Sequence, residues 1–396
     1  MRRIITIIVL SQLFCCTVWF GGNAVLPEIL AEGSFHPGIL AHMTSSVQFG
    51  FITGTLLFAL LMISDRYPST AVFLICSFLA GSSNLYMILD PLTETGLLAS
   101  RFATGFFLAG IYPVGMKIAS DHFQKGLGLS LGFLVGALVL GTASPHLIRE
   151  FGSSLDWNLV VILTSLLCAT GGLLMWFFVP EGPHRKPAQE FAWTSFLTGF
   201  KKLEFRSAAF GYFGHMWELY SFWAFLPFML EYFKQRHQLT EMPVSCYSFL
   251  VIGAGGPACV AGAWLAKKYG TKTMAAGFLL LSGCCCLFSP IILTQSSTLL
   301  LLSFLLFWGM VVVADSPLFS TLIAQEAPET LRGSSLTIVN CIGFSITIIS
   351  LQCIQVLISF IDLNFLFAFL SIGPALGLLG LIKKKQESKR TFAEIS

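Results

Sequence analysis

Four ionisable residues lie within or beside long apolar stretches of the chain: Glu28, Arg101, Glu218 and Asp315. A charge near the centre of a bilayer costs roughly 2.5–3.5 kcal/mol on insertion scales, so such residues usually face a cavity or a partner. A buried acid can take up and release a proton, and a buried arginine can attract an anion or change the protonation of a nearby carboxylate. These residue types therefore predict proton exchange and solute binding inside a membrane.

Glu218 is the first candidate for proton coupling. It lies twelve residues after Arg206, where an apolar run begins, and at 1.5 Å per residue this places it about 18 Å deep in a helix. His215 precedes Glu218 by three residues and shares its helix face. An acid beside a histidine can exchange protons near neutral pH. The alternative is a structural hydrogen-bonded pair that joins helices.

Arg101 and Asp315 are the other two candidates for coupling. Arg101 lies in an apolar run, where it would favour an anionic solute or control a nearby carboxylate; its alternative role is a fixed ion pair between helices. Asp315 comes just before Ser316 and Pro317. It is either a second proton site or a group that stabilises backbone freed by Pro317, and both possibilities stay open. For Glu28 we expect solvation at the edge of the membrane.

Several neutral polar or aromatic residues lie at depths compatible with a solute cavity. Trp217 belongs to a run with Tyr220 and Trp223, which offers flat faces and polar tips, although packing alone would explain the same run. We expect the substrate-binding residues to be Arg101, Asn23, Gln48, Tyr112, Trp217 and Asn340.

These residues lie in a chain whose pattern is typical of a series of membrane spans. The chain of 396 residues is 55% hydrophobic and only 11% charged, whereas soluble domains carry about 25% charge. A span needs about 20 apolar residues and must be helical, because lipid cannot satisfy an open backbone. The twelve predicted spans are residues 4–30, 38–63, 70–89, 95–118, 127–149, 157–179, 206–230, 243–266, 272–293, 297–323, 333–359 and 363–382. In the fifth span, closely spaced glycines predict tight helix packing.

If the chain crosses the membrane at each predicted span, most of its basic residues lie on one side. Short loops rich in lysine and arginine stay in the cytoplasm, so we predict that both termini are cytoplasmic. The odd-numbered connections hold only Arg149, Lys234 and Arg236. Nineteen of the 23 basic residues belong to the termini and the even-numbered connections: Arg2, Arg3, Arg66, Lys117, Lys125, Arg185, Lys186, Lys201, Lys202, Arg206, Lys267, Lys268, Lys272, Arg332, Lys383, Lys384, Lys385, Lys389 and Arg390.

A polar, proline-containing stretch over 180–204 divides the chain into a bundle over 1–179 and another over 205–396. We predict that this stretch is a cytoplasmic tether. The two parts echo each other, because similar loops follow the second and eighth spans and a proline lies late in the fourth and tenth. The loops are Leu61-Met62-Ile63-Ser64-Asp65-Arg66-Tyr67-Pro68 and Ala263-Trp264-Leu265-Ala266-Lys267-Lys268-Tyr269-Gly270-Thr271-Lys272.

With these two loops the chain resembles the major facilitator superfamily. The resemblance covers the whole chain. The family's loop signature is glycine-x-leucine-alanine-aspartate-arginine-x-glycine-arginine-lysine. The first copy here keeps Asp65-Arg66, and the second keeps Leu265-Ala266, Gly270 and Lys272. Arg101 followed by Gly105 matches a second signature, whose arginine the family links to proton coupling.

The resemblance implies an all-α integral membrane fold with twelve transmembrane helices in two six-helix bundles. It also implies a central cavity lined by spans 1, 4, 7 and 10, with spans 2, 5, 8 and 11 beside them. Asp65 and Arg66 are predicted gating residues, because charges in such a loop can pair with a helix end in one conformation and release it in another. The alternative is that the loop charges only fix the topology.

We therefore expect a secondary transporter of a small solute in the inner or plasma membrane, with the proton as coupling ion and the protein acting as a monomer. An uncoupled facilitator and a receptor that has lost transport are the alternatives. An enzyme is not expected, since the chain has no nucleotide-binding loop of the Gly-x-x-x-x-Gly-Lys type. No cofactor, metal or nucleic acid is expected either, because the eleven cysteines show no metal spacing and the basic residues are dispersed.

Overall fold

The structure is a computed structural model that describes residues 2–32, 35–36, 38–89, 91–123, 127–152, 156–185, 198–327 and 332–382. Within these residues all regular structure is helical. The α-helices are α1 (Arg2–Cys16), α2 (Gly21–Ala24), α3 (Leu26–Glu32), α4 (Ile39–Leu60), α5 (Ile63–Arg66), α6 (Ser69–Leu85), α7 (Glu94–Leu108), α8 (Tyr112–His122), α9 (Leu127–Phe151), α10 (Asn158–Phe178), α11 (Leu203–Arg236), α12 (Val244–Tyr269), α13 (Thr271–Leu293), α14 (Thr298–Ala314), α15 (Ser316–Glu326), α16 (Arg332–Leu357), α17 (Leu363–Leu366) and α18 (Ile372–Ile382). Short 3₁₀ turns over Tyr86–Ile88 and Phe367–Ser371 extend α6 and connect α17 to α18.

Ten helical segments of the described chain are long and apolar enough to cross a membrane. They are Ile39–Leu60, Ser69–Ile88, Glu94–His122, Gly128–Phe151, Asn158–Phe178, Val244–Tyr269, Thr271–Leu293, Thr298–Glu326, Arg332–Leu357 and Leu363–Leu381. Each coincides with a predicted span, with ends that differ by a few residues. The chain is therefore an integral membrane protein whose apolar runs are helices, as predicted.

The two other predicted spans differ from the expectation. The run over 4–30 is not one helix, because the chain breaks after Cys16 and continues as the short helices α2 and α3. The run over 206–230 belongs to a longer helix, α11, of 34 residues. Its last turn contains Lys234 and Arg236, so these cations extend a helix and do not lie in a loop.

Two of the ten segments are broken near their middle. The break between α7 and α8 comes just before Pro113, and the break between α14 and α15 falls at Asp315, just before Pro317. Proline fits the first turn of a helix, where its missing N–H would have no partner in any case. The prolines predicted to mark equivalent spans therefore begin the second helix of each broken segment.

The described residues before 186, called the N-half, and those from 198 onward, called the C-half, meet along α9 with α12 and α4 with α16. Glycine allows the close approach: a Cβ atom on Gly136 would lie 2.8 Å from the carbonyl oxygen of Gly256 in the other half. Small residues serve this purpose in membrane helices, because backbones in van der Waals contact replace the missing hydrophobic driving force. The predicted packing role of the glycines in the fifth span is thus seen directly.

Two hydrogen bonds join the halves at one face of the bundle. Gln352 donates from Nε2 to Ser45 Oγ at 2.9 Å, and the backbone N–H of Cys246 donates to Glu150 Oε2 at 3.2 Å. Cys246 lies in the first turn of α12, where N–H groups have no partner within the helix. Glu150 therefore caps a helix of the opposite half.

The first residues of the predicted tether lie against the N-half. Arg185 donates from Nη2 to the carbonyl oxygens of Asp65, at 3.0 Å, and of Tyr67, at 2.9 Å. The rest of the stretch predicted to be a cytoplasmic tether falls largely on 186–197, which lie outside the described residues.

Candidate functional site

Arg101 lies in α7 and is fully buried. Its guanidinium contacts the backbone at the break between α1 and α2. Its Nη2 donates to the carbonyl oxygens of Val18, at 2.8 Å, and Trp19, at 2.7 Å. These carbonyls follow the end of α1, where no further turn supplies N–H donors. A guanidinium offers several donors in one plane, which suits it to hold two adjacent carbonyls at once.

Asn84 connects this arrangement to the rest of the N-half. Its Oδ1 accepts a hydrogen bond from Arg101 Nη1 at 2.8 Å, and its Nδ2 lies within bonding distance of Val161 O, Thr164 Oγ1 and Ser165 Oγ. One amide thus links α6, α7 and α10, and through Arg101 it reaches α1. Sequence reasoning missed Asn84, although an amide inside an apolar run was a signal that could have identified it.

These contacts change the expected role of Arg101. Among the described residues no carboxylate forms an ion pair with it, and three of its hydrogen bonds go to neutral oxygens. Within the described residues, Arg101 therefore does not form the fixed ion pair between helices that was its alternative role. The guanidinium is enclosed, with Nη1 on Asn84 Oδ1, Nη2 on two backbone carbonyls and Nε without a partner among the described residues. That Arg101 favours an anionic solute stays a prediction.

Glu218 lies in α11 with no exposed surface. Its Oε1 accepts a hydrogen bond from the indole Nε1 of Trp308 at 2.7 Å, and its Oε2 accepts one from Ser282 Oγ at 2.9 Å. Trp308 belongs to α14 and Ser282 to α13. The carboxyl group therefore points into the C-half between three of its own helices, and both hydrogen-bond donors are neutral.

His215 and Asp315 form a buried pair in the C-half, separate from Glu218. Their side chains are 1% and 0% exposed, respectively. His215 Nδ1 and Asp315 Oδ1 lie 2.8 Å apart, within ion-pair distance, although the contact lacks the geometry of a directional hydrogen bond. His215 Nε2 and Asp315 Oδ2 have no hydrogen-bond partner in the described part of the chain. Asp315 occupies the break between α14 and α15, so a polar pair sits at an interruption of the helix.

The structure corrects the expected pairing of His215 with Glu218. The two side chains lie one turn apart on α11, yet they contact different partners: His215 contacts Asp315, and Glu218 contacts Ser282 and Trp308. Spacing along one helix cannot reveal which neighbouring helix each side chain meets.

The predicted solute-binding residues of the N-half occupy different environments. Asn23 is buried and donates from Nδ2 to Thr44 Oγ1 at 2.8 Å. Gln48 is fully buried, and neither atom of its amide has a partner among the described residues. Tyr112 is half-buried at the start of α8.

The two predicted solute-binding residues of the C-half are both half-buried. Trp217 packs on Phe369 with ring centroids 5.6 Å apart, and its indole Nε1 is without a partner in the described residues. Asn340 lies in α16, a helix that packs against α4 of the N-half. The contacts therefore place Trp217 within its own half and Asn340 on a helix of the interface.

The predicted gating residues lie at the end of the bundle where the chain begins. Asp65 Oδ1 is 2.6 Å from Lys117 Nζ of α8, and the same Nζ donates to the carbonyl oxygen of Ser64. Arg66 is exposed. The loop charge thus contacts a helix end within the same half, and no sequence pattern marks Lys117 as its partner.

Glu28 is not simply solvated, as had been expected. It accepts hydrogen bonds from Nε and Nη2 of Arg149. The pair connects α3 to α9 at the end of the bundle opposite Asp65.

The comparisons agree with this architecture. The family model described as Major Facilitator Superfamily matches residues 8–351, which is most of the chain. The protein belongs to the major facilitator superfamily. No curated protein matches it in sequence.

Solved structures of transporters share the fold over nearly the full length. The human organic anion transporter MFSD10 (TETRAN) superposes with a TM-score of 0.72 at 17% identity, covering 96% of this chain and 99% of that one. A mutant of the nucleoside transporter NupG gives 0.71 at 13% identity, covering 96% and 99%. The proton:xylose symporter XylE bound to 6-bromo-6-deoxy-D-glucose gives 0.72 at 14%, covering 96% and 95%. At these identities the likeness establishes the fold alone.

Proposed function

We propose that this protein is a proton-coupled secondary transporter that moves a small solute by alternating access. The observation that carries the proposal is Glu218, a fully buried carboxyl group that accepts hydrogen bonds from neutral side chains, among them Ser282 and Trp308. A buried charge without a counter-charge is costly. The gain or loss of one proton at Glu218 therefore changes the local electrostatic energy strongly, and that change can favour one conformation over another.

The His215–Asp315 pair supports the same proposal. It lies about one helical turn closer to the start of α11 than Glu218 does, and it retains unpartnered nitrogen and oxygen atoms among the described residues. An imidazole beside a carboxylate can pass a proton between its two ring nitrogens. We assign the pair and Glu218 as two proton-binding sites on one path, with Glu218 the deeper of the two.

Asp65 and Lys117 would act at the gate. Their ion pair fixes the loop between α4 and α6 against α8, and Arg185 holds the same loop from the tether side. In this proposal the contacts form and break as the halves rock, with Arg66 remaining in solvent. An ion pair that is partly exposed contributes little to stability, which suits a contact that must release.

The direct test is proton flux in liposomes that contain the purified protein and an internal pH-sensitive dye. Solutes from uncharged, anionic and cationic classes are added in turn, and an imposed pH gradient is the only energy source. A coupled transporter moves protons only with its solute and accumulates that solute until a protonophore is added. Equilibration of the solute without accumulation and without proton movement would identify the uncoupled facilitator. A receptor would move no solute at all.

We further propose twelve spans, with the segment α1–α3 and helix α11 crossing the membrane beside the ten apolar segments, and with both termini cytoplasmic. The charge asymmetry of the loops supports this orientation. We expect a monomer in the inner or plasma membrane.

Reporter fusions test the orientation. A reporter joined after Ser396, and one inserted within 186–190, should both give a cytoplasmic signal, whereas one inserted within 153–155 should give an external signal. An external signal at either of the first two positions would contradict the topology.

A further inference from the structure

Six aromatic side chains from both halves form one buried cluster where the halves meet. The N-half supplies Trp19, Phe20 and Phe51, and the C-half supplies Tyr220, Trp223 and Phe344; each is at most 4% exposed. The ring of Trp19 stacks on Tyr220 at a centroid distance of 6.0 Å and on Phe344 at 5.9 Å. Phe20 meets Trp223 edge to face at 6.3 Å. We call these six residues the aromatic cluster.

Three side chains in or beside the aromatic cluster, Trp19, Trp223 and Gln48, carry polar atoms without partners in the described part of the chain. The indole Nε1 atoms of Trp19 and Trp223 are buried without an acceptor. Gln48 lies three residues before Phe51 on one face of α4, and both its amide atoms are buried and unpartnered. Burying a polar group without a hydrogen bond is unfavourable. Such groups in a native protein require an explanation, and a bound molecule is one.

No free charge is directed at the aromatic cluster from the helices that build it, as far as the described residues extend. Arg101 lies on the backbone side of Trp19, where it donates to the carbonyl oxygens of Val18 and Trp19 and to Asn84 Oδ1. Glu218 is on the same helix as Tyr220, but its carboxyl group turns to α13 and α14. His215 and Asp315 hold each other. The cluster therefore offers flat apolar faces and hydrogen-bond donors without an ionic partner.

The stacking crosses the boundary between the halves, and this gives it a role in the transport cycle. When the halves separate, Trp19 loses Tyr220 and Phe344, and the facing surfaces of all three rings become free. Offset stacking of aromatic rings at centroid distances of about 4.5–7 Å is favourable, so a planar guest can replace the contacts that the rings make with each other. The two indole N–H groups then find an acceptor on that guest.

We propose that the solute of this transporter is an uncharged, planar aromatic compound that carries hydrogen-bond acceptors and binds in the aromatic cluster. This inference rests on the proposed transport function, because it names the solute class of that function. It predicts discrimination against anions of the same shape, since a carboxylate would lose its hydration without gaining a cation. It also predicts discrimination against sugars, which lack an aromatic face.

Equilibrium dialysis with the protein in lipid nanodiscs tests this without any gradient. The uncharged probes are coumarin, quinoline and caffeine, with benzoate as the charged planar probe and D-xylose as the uncharged non-aromatic one. Empty nanodiscs correct for partition into lipid. We expect at least one uncharged aromatic probe to bind at least about tenfold more tightly than benzoate or D-xylose, a difference of roughly 1.4 kcal/mol. Preferential binding of benzoate or D-xylose overturns the inference, and so does binding of none of the five.

Two substitutions locate the binding site. Trp19→Phe keeps a ring and removes the N–H donor, and it should weaken binding of the preferred probe about three- to tenfold, the effect of one lost hydrogen bond. Trp176→Phe, at an exposed tryptophan of α10, is the matched control and should leave binding unchanged. Phe344→Leu is the second substitution within the aromatic cluster. If it and Trp19→Phe are both monodisperse in detergent and bind the probe as the parent does, the aromatic cluster is not the site. Because no proton gradient is present, this outcome is separate from failure of proton coupling.

Discussion

Glu218→Gln is expected to abolish accumulation of solute against a gradient while leaving exchange partly intact. The amide can keep the structure: its oxygen accepts from Trp308 Nε1, and its NH₂ donates to Ser282 Oγ, whose own proton then turns to the carbonyl oxygen of Leu279, 3.2 Å away. The variant therefore lacks only the titratable proton. With one proton moved per solute, each pH unit across the membrane supports about tenfold accumulation, and this ratio should fall to near one.

Ser282→Ala is the control for Glu218→Gln. It removes one hydrogen bond to the carboxyl group but leaves the group able to titrate, so accumulation should persist at a reduced rate. The measurement is the accumulation ratio of both variants in liposomes, over a range of internal and external pH. Normal accumulation by Glu218→Gln would show that Glu218 has a structural role only, and would move the coupling to the pair of His215 and Asp315.

Arg101→Ala is expected to destabilise the protein severely. It leaves three acceptors without a donor: the carbonyl oxygens of Val18 and Trp19 and the Oδ1 of Asn84. At about 1–3 kcal/mol for each unsatisfied group, the total loss is on the order of 3–9 kcal/mol, a large part of the stability of most proteins. Arg101→Lys should be intermediate, because one ammonium group cannot match the planar spacing of the guanidinium.

Thermal stability and monodispersity in detergent, measured beside transport, test the role of Arg101. Arg236→Ala removes an exposed arginine that bonds to Tyr232 within the last turns of α11 and should leave the stability unchanged. If Arg101→Ala stays monodisperse with an unchanged melting temperature and yet loses transport, Arg101 acts directly in solute or proton movement. Loss of folded protein in both Arg101 variants supports the structural role that its contacts indicate.

The fold was largely predictable because its signal is long and repeated. Apolar runs of membrane length recur along the whole chain, and lipid permits only helices there. The break between α1 and α2 was not predicted, although Gly21, Gly22 and Pro27 are residue types that interrupt helices. The carbonyls at the break are satisfied by Arg101, which is distant in sequence. Helix α11 exceeded its predicted length because Lys234 and Arg236 ended the apolar pattern without ending the helix.

The site was only partly predictable. Glu218, His215, Asp315 and Arg101 stood out because ionisable groups are costly in lipid, and all four are buried. Their partners could not be deduced, because which helices face each other depends on rotation about each helix axis. Trp308 and Ser282 are inconspicuous in an apolar run, and only their approach to Glu218 gives them a role.

Because the chain is synthesised from its N-terminus, Arg101 and Glu218 meet their hydrogen-bond partners at different times. The partners of Arg101 all precede it, by 17, 82 and 83 residues, so they are already available when Arg101 enters the membrane. Glu218 instead precedes Ser282 by 64 residues and Trp308 by 90. At roughly 5–20 residues per second, its carboxyl group waits on the order of 5–20 s for its last donor. During that interval the carboxyl group of Glu218 lacks donors that it has in the folded protein, whereas Arg101 enters with all three of its partners already made.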